Sequence, residues 1–148
     1  MNKPSFICWD GLPLRMVLGI MFLAHGAQKL FGAFGGAGML AKFAEHLTAM
    51  GFAPGMFWAT LVGCAEFVGG LFILLGLWTR WAVWPPMAVM LVAIFKVHGP
   101  HGFFGPMGFE YPFVILGGLL TLFAIGAGPV SFDARCCSKG TGSSASSG

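Results

Sequence analysis

The sequence predicts an all-α integral membrane protein, a four-helix bundle with a short interfacial helix between spans one and two. Three observations carry that expectation. Of the 148 residues only 9% are charged and 57% are hydrophobic, whereas a soluble domain carries roughly 25% charged residues. Such a chain cannot cover its surface with polar groups, so its expected surroundings are a lipid bilayer. Four apolar stretches follow one another, and a span needs roughly 20 residues. The 24 glycines fit as well, because glycine is tolerated in membrane helices and lets two of them approach closely.

Composition also narrows the function classes. A net charge of +3 is small and scattered, which argues against nucleic acid as a partner. The four cysteines form no disulfide framework. Cys8 precedes the first span, Cys64 falls within the second, and Cys136 and Cys137 are adjacent near the end. No C-x-x-C occurs, which removes the thioredoxin-like redox motif. Cys64 reads as a small core residue and the vicinal pair as a tail feature.

Taken in order, residues 1–11 form a polar stub whose Phe6 and Trp9 suit the membrane interface. No small-residue cleavage site follows the first apolar run, so it reads as a retained span, not a signal peptide. That span is predicted from Leu12 to Phe31, with Pro13 in the first turn, where its missing N–H is not needed. Gly32–Gly38 marks a loop. Met39–Met50 has helical period, with Leu40, Phe43 and Leu47 on one side and Lys42, Glu45 and His46 on the other. It is too short to span, so it is expected at the interface.

Span two is predicted from Met56 to Leu77, apolar except for Thr60, Cys64 and Glu66. Thr79-Arg80 is expected to form a tight turn. Span three follows from Trp81 to Val97, kinked near its start by Pro85-Pro86. A loop rich in glycine, proline and aromatics leads to span four, Tyr111 to Ala127, which Gly128-Pro129 ends. The bundle domain is thus 12–133. Residues 134–148 are rich in serine and glycine and read as a disordered tail.

With both termini in the cytoplasm, Lys3, Arg15, Arg80, Arg135 and Lys139 fall inside and Lys29, Lys42 and Lys96 outside, a modest positive-inside bias.

The chemistry concentrates at the end of span one. His25, Gln28 and Lys29 share a helix face, above an apolar stripe of Met21, Leu18 and Leu14. Ionisable groups in a span are costly and usually face a bundle interior or cavity. Antiparallel threading brings Lys96 and His98 of span three to the same side, with Glu110 and Tyr111 of span four. Glu66 then lies about 15 Å, and His25 about 9 Å, below that face at the helical rise. Together these residues are expected to line one pocket opening towards the outer leaflet.

A quinone suits such a set. It offers two carbonyls and a flat apolar ring, and its reduction needs a proton route. His25, Gln28, Lys29, Lys96 and His98 supply binding groups, and Glu66, with His25, the proton-handling catalytic pair. Phe31, Phe34, Phe95, Phe103 and Phe104 are candidate walls. Each residue also has a plainer reading. Glu66 is then a protonated structural acid, Lys29 and Lys96 reach for headgroups, and His98 and His101 are loop residues. Gly99-Pro100 prevents a regular helix between the two histidines, so no metal site is expected. Haem between His25 and His98 is not demanded by any spacing.

His25-Gly26-Ala27-Gln28-Lys29-Leu30-Phe31-Gly32 resembles the signature of the DoxX family of small membrane proteins (DoxX and DoxD-like). So do Glu66 with Gly69-Gly70, Leu77-Trp78-Thr79-Arg80, Lys96-Val97-His98 with Gly102-Phe103-Phe104, and Glu110-Tyr111-Pro112. The resemblance runs from about residue 12 to 133. Lys96 departs from it, since the family commonly has an uncharged residue there. It implies a four-helix bundle in the prokaryotic inner membrane. Related proteins are membrane subunits of a thiosulfate:quinone oxidoreductase or are linked to thiol and oxidative-stress systems. A sulfur substrate would then require a partner subunit.

The first functional expectation is a membrane subunit of a quinone-linked, sulfur- or thiol-coupled oxidoreductase system. The alternative is a non-catalytic accessory subunit of a larger respiratory or photosynthetic complex, whose polar set is structural. A small transporter is a third reading, but four spans with one buried acid make a thin pathway.

Overall fold

The structure is a computed structural model that describes residues 11–134. The N-terminal stub with Cys8, the vicinal pair Cys136-Cys137, the charges Lys3, Arg135 and Lys139, and the Ser138–Gly148 tail lie outside the described residues. Within them the chain is all-helical. Helix α1 spans Leu12–Phe31, α2 Met39–Ala49, α3 Gly55–Leu75, α4 Thr79–Ala82, α5 Trp84–Val92 and α6 Glu110–Ile125. A 3₁₀ turn, Ala33–Gly35, precedes α2, and a π-helical segment, Ala93–His98, continues α5 into a second 3₁₀ turn, Gly99–His101.

α3 and the composite helix Thr79–His101 are each long and apolar enough to cross a membrane. α1 and the segment Ala33–Ala49 pass the same test together, bent by 86°. That bend turns α2 nearly perpendicular to α1, as an interfacial helix requires. α2 buries Ala44 and Leu47 against Ala59 of α3 and leaves Lys42, Glu45 and His46 exposed. α6, at 16 residues, reaches about 24 Å at the helical rise and is shorter than a hydrocarbon core of about 30 Å.

α1 and α3 make the tightest contact, and glycines permit it. Gly19 and Gly26 of α1 and Gly63 and Gly70 of α3 are each seven residues apart, so each pair shares one helix face. A methyl group on Gly19 would sit 2.8 Å from the Leu74 backbone, and one on Gly26 or Gly70 would collide with the backbone of Phe67 or of Leu23. One on Gly63 would press 2.8 Å from Leu30. These contacts fix an antiparallel register in which Lys29 comes level with Glu66. Small residues at a membrane-helix contact act in this way generally.

α5 packs against α3, α6 against α5, and α6 returns to α1. The shared core holds Leu18 and Phe22 of α1, Ile73 of α3, Met87 of α5, and Ile115, Leu119 and Leu122 of α6. α6 runs antiparallel to α1: Gly118 lies against Leu14 and Leu18, and the Tyr111 hydroxyl meets Met21 Sδ at 3.3 Å.

Two local expectations are corrected. Thr79 and Arg80 do not form the turn. They begin α4, and Leu77-Trp78 turns the chain, with Trp78 at φ 46°. That left-handed conformation is costly for a bulky residue. The Asp133 carboxylate offsets it by accepting the N–H of Trp78 at 2.7 Å and of Thr79 at 3.1 Å. Cys64 is exposed and not in the core, because α3 turns that face away from α1 and α5. Where a kink was expected near Pro85-Pro86, the helix is interrupted at Val83, which separates α4 from α5 within the composite helix Thr79–His101.

Candidate functional site

Glu66 is 3% exposed, deep in the face of α3 that α1 covers. Lys29 Nζ donates to both of its carboxylate oxygens, each at 2.6 Å. The same ammonium stands 4.9 Å from the centre of the Phe43 ring of α2, a distance at which cation and ring attract. Two charges removed from water are tolerable only when paired and hydrogen-bonded, and this pair satisfies both conditions. Of the two plainer readings, a solitary protonated acid and a lysine reaching for headgroups, neither describes this geometry.

The pair closes one side of a cavity of about 480 Å³, within the range of small-molecule sites. Phe43 and Leu47 of α2, Phe52 of the following turn, and Trp58, Leu61, Val62 and Ala65 of α3 form one wall. Pro85, Ala88, Val89, Met90, Val92, Ala93, Val97 and His98 form the facing wall. Apart from Lys29, Glu66 and His98, the lining is apolar or aromatic. Several lining residues, among them Trp58, Leu61 and Val92, are also exposed. The cavity is therefore open at the protein surface.

The facing wall explains why one expected residue is absent and another present. Pro85, Ala88, Val89, Val92 and Ala93 follow at spacings of three and four, one face of a helix turning about 100° per residue. Continued as α-helix, that face would next present Lys96 and turn His98 to the opposite side. The π-helical segment Ala93–His98 turns less per residue, so the rotation falls behind. His98 comes onto the wall beside Val97, and Lys96 is left exposed outside it. The His98 ring is held there by its Nδ1, 2.8 Å from the Met107 carbonyl oxygen.

Three of the expected site residues, Lys29, Glu66 and His98, thus meet at one cavity. His25 does not reach it; its side chain is exposed. Tyr111, in the first turn of α6, packs at Met21, and His25 lies one helical turn beyond, where α6 no longer covers α1. Gln28 is half-buried and packs against Gly36 in the turn after α1. Phe31 is 70% exposed and meets Phe67 edge-on at 5.3 Å. Phe34, Phe95, Phe103 and Phe104 likewise line no part of the cavity; Phe103 packs with Phe104, Phe109 and Phe113 in its own loop cluster. The aromatic walls come from Phe43, Phe52 and Trp58. The place of Phe43 in an apolar helical stripe was visible in the sequence, but not that α2 folds over α3. Among the described residues no group of three or more His, Cys, Asp or Glu could hold a metal ion.

A second buried cation sits at the other end of α1. Arg15 is 3% exposed; it donates through Nη1 to the Ala127 carbonyl and through Nη2 to the Val130 carbonyl at 2.6 Å. The sequence shows Arg15 only as a topology charge, and nothing local to it announces that residues 127–133 return to cover it.

Comparison with known proteins agrees with this architecture. An uncharacterized membrane protein of Mycobacterium tuberculosis is 32% identical over 95% of this chain and 86% of its own length. An uncharacterized protein of Haemophilus influenzae is 28% identical over 93% of this chain and 95% of its own. No solved structure matches significantly. The DoxX family model matches residues 11–99, a stretch that contains Lys29, Glu66, the π-helical segment and His98, and this membrane protein therefore belongs to the DoxX family.

Proposed function

We propose that the chain is a membrane subunit of a quinone-linked electron-transfer system, and that the cavity beside Lys29 and Glu66 holds the quinone. The observation that carries this reading is a buried ion pair facing an otherwise apolar, aromatic-walled volume open at the protein surface. An ammonium has three donors. Two are held by Glu66, and the third is left for a ligand oxygen. A quinone supplies two carbonyls that accept electrons and protons. Glu66 would hold a proton at a carboxyl oxygen, Lys29 would orient a ligand oxygen, and Phe43, Phe52 and Trp58 would flank the ring. The electrons would come from a partner subunit with a sulfur or thiol substrate. In this proposal α6 completes a fourth span, both termini are cytoplasmic, and the membrane is the prokaryotic inner membrane.

Trp58 provides the test, because quinones quench indole fluorescence. Titration of the detergent-solubilised protein with a short-tailed benzoquinone is expected to give saturable quenching. Trp58→Phe should remove that component, and Lys29→Met should weaken binding about tenfold or more, the loss of a charge-assisted hydrogen bond. Quenching that only rises linearly with quinone, alike in all three proteins, would sink the proposal and favour an accessory subunit with a structural ion pair.

A further inference from the structure

His98 has a property that Lys29 lacks. Its Nδ1 lies 2.8 Å from the Met107 carbonyl oxygen, and a carbonyl oxygen can only accept. Nδ1 therefore carries the proton, and in the neutral imidazole Nε2 is left as a bare acceptor. Among the described residues Nε2 has no hydrogen-bond partner, and His98 is one of the residues lining the cavity. Lys29 does not discriminate between oxidised and reduced ligands, and both Glu66 carboxylate oxygens already accept from it. An ammonium donates equally to a carbonyl or a hydroxyl oxygen. A bare Nε2 does discriminate. It accepts from a hydroxyl, but a carbonyl oxygen placed against it would set two acceptors face to face and leave both unsatisfied.

We propose that His98 is the specificity-determining residue of this cavity: its Nε2 accepts the hydroxyl of a hydroquinone, so the site holds the reduced, hydroxyl-bearing ligand in preference to the carbonyl form. This rests on the quinone-type reading above. The π-helical segment is the structural device behind it. Only that local under-rotation exchanges a lysine, which would donate to either form, for an imidazole that accepts. The backbone carbonyl of Met107 then fixes which nitrogen is bare, so the preference is set by the loop after His98 as well as by His98 itself.

The experiment compares binding of a short-tailed benzoquinone and its hydroquinone, under anaerobic conditions, to the full chain in detergent. Both ligands are measured in the same mildly alkaline buffer. The hydroquinone is expected to bind at least about tenfold more tightly, and His98→Phe, which keeps a ring in the wall, should erase that ratio. Nitrogen NMR of His98 in the unsubstituted protein gives an independent readout. Nδ1 should carry the proton, and the Nε2 resonance should move on adding hydroquinone but not quinone. Equal or reversed affinities, a ratio that survives in His98→Phe, or an Nε2-protonated ring would each overturn the inference while leaving a quinone site intact. Binding of neither form would overturn both the inference and the reading beneath it.

Discussion

Arg15 and Lys29 stand on the same helix, about 21 Å apart along α1 at the helical rise, and each places a cation inside the protein. Their surroundings differ in kind. Arg15 donates to two backbone carbonyls of the returning segment, Ala127 and Val130. That segment is itself held by Ser131 Oγ donating to the Gly128 carbonyl at 2.7 Å and by the Asp133 carboxylate at the Trp78 turn. Lys29 instead meets a single carboxylate and faces an apolar volume of about 480 Å³. A buried cation whose donors end on backbone carbonyls is a clamp on the fold. One that faces a cavity with a donor to spare can receive a ligand. The same physical requirement, pairing a charge out of water, produces a backbone clamp at one end of the helix and an ion pair facing a cavity at the other.

The largest expected effect is at the clamp. Arg15→Met leaves the Ala127 and Val130 carbonyls without their charged donor, and hydrogen bonds to charged groups contribute about 1.5–3 kcal/mol each. For the two bonds together a loss of about 3–6 kcal/mol is expected, read as a large drop in the thermal unfolding midpoint in detergent. An unchanged midpoint would erase the distinction between the two ends.

Lys29 and Glu66 should respond differently. Removing Lys29 alone strands a buried carboxylate and should cost about 3–5 kcal/mol. The double variant Lys29→Met, Glu66→Gln removes both charges and should recover most of that loss. A site predicts that the double variant folds well yet no longer binds ligand. If it both folds and binds, the pair is structural. The smallest effect is expected at His25. It is exposed and has no hydrogen-bond partner among the described residues, so His25→Ala should leave both midpoint and quinone affinity unchanged within error. A tenfold loss of affinity would place His25 in the site after all.

How far the sequence carried these conclusions differs residue by residue. That Glu66 shares a pocket with the polar end of α1 was legible from antiparallel threading of the spans, but that Lys29 and not His25 meets it was not. The interfacial α2 was legible from its polar and apolar sides. Grouping His25 with Lys29 on one face was sound as helix geometry, yet that face is covered only as far as Tyr111 reaches. The expectation for Lys96 assumed that α5 continues as an α-helix. No residue between Ala93 and His98 marks the π-helical turn that moves Lys96 out and His98 in. Cys64 sat on an apolar helix whose every face looks alike in composition, so its side could not be assigned.

Composition and period, which are properties of neighbouring residues, determined by themselves that this chain is helical, bound to membrane, and polar at the end of α1. Tertiary structure alone decided which of those polar groups lies inside. Burial depends on where distant segments stop: α6 one turn short of His25, the C-terminal stretch folded back onto Arg15, and α2 laid across Lys29 and Glu66.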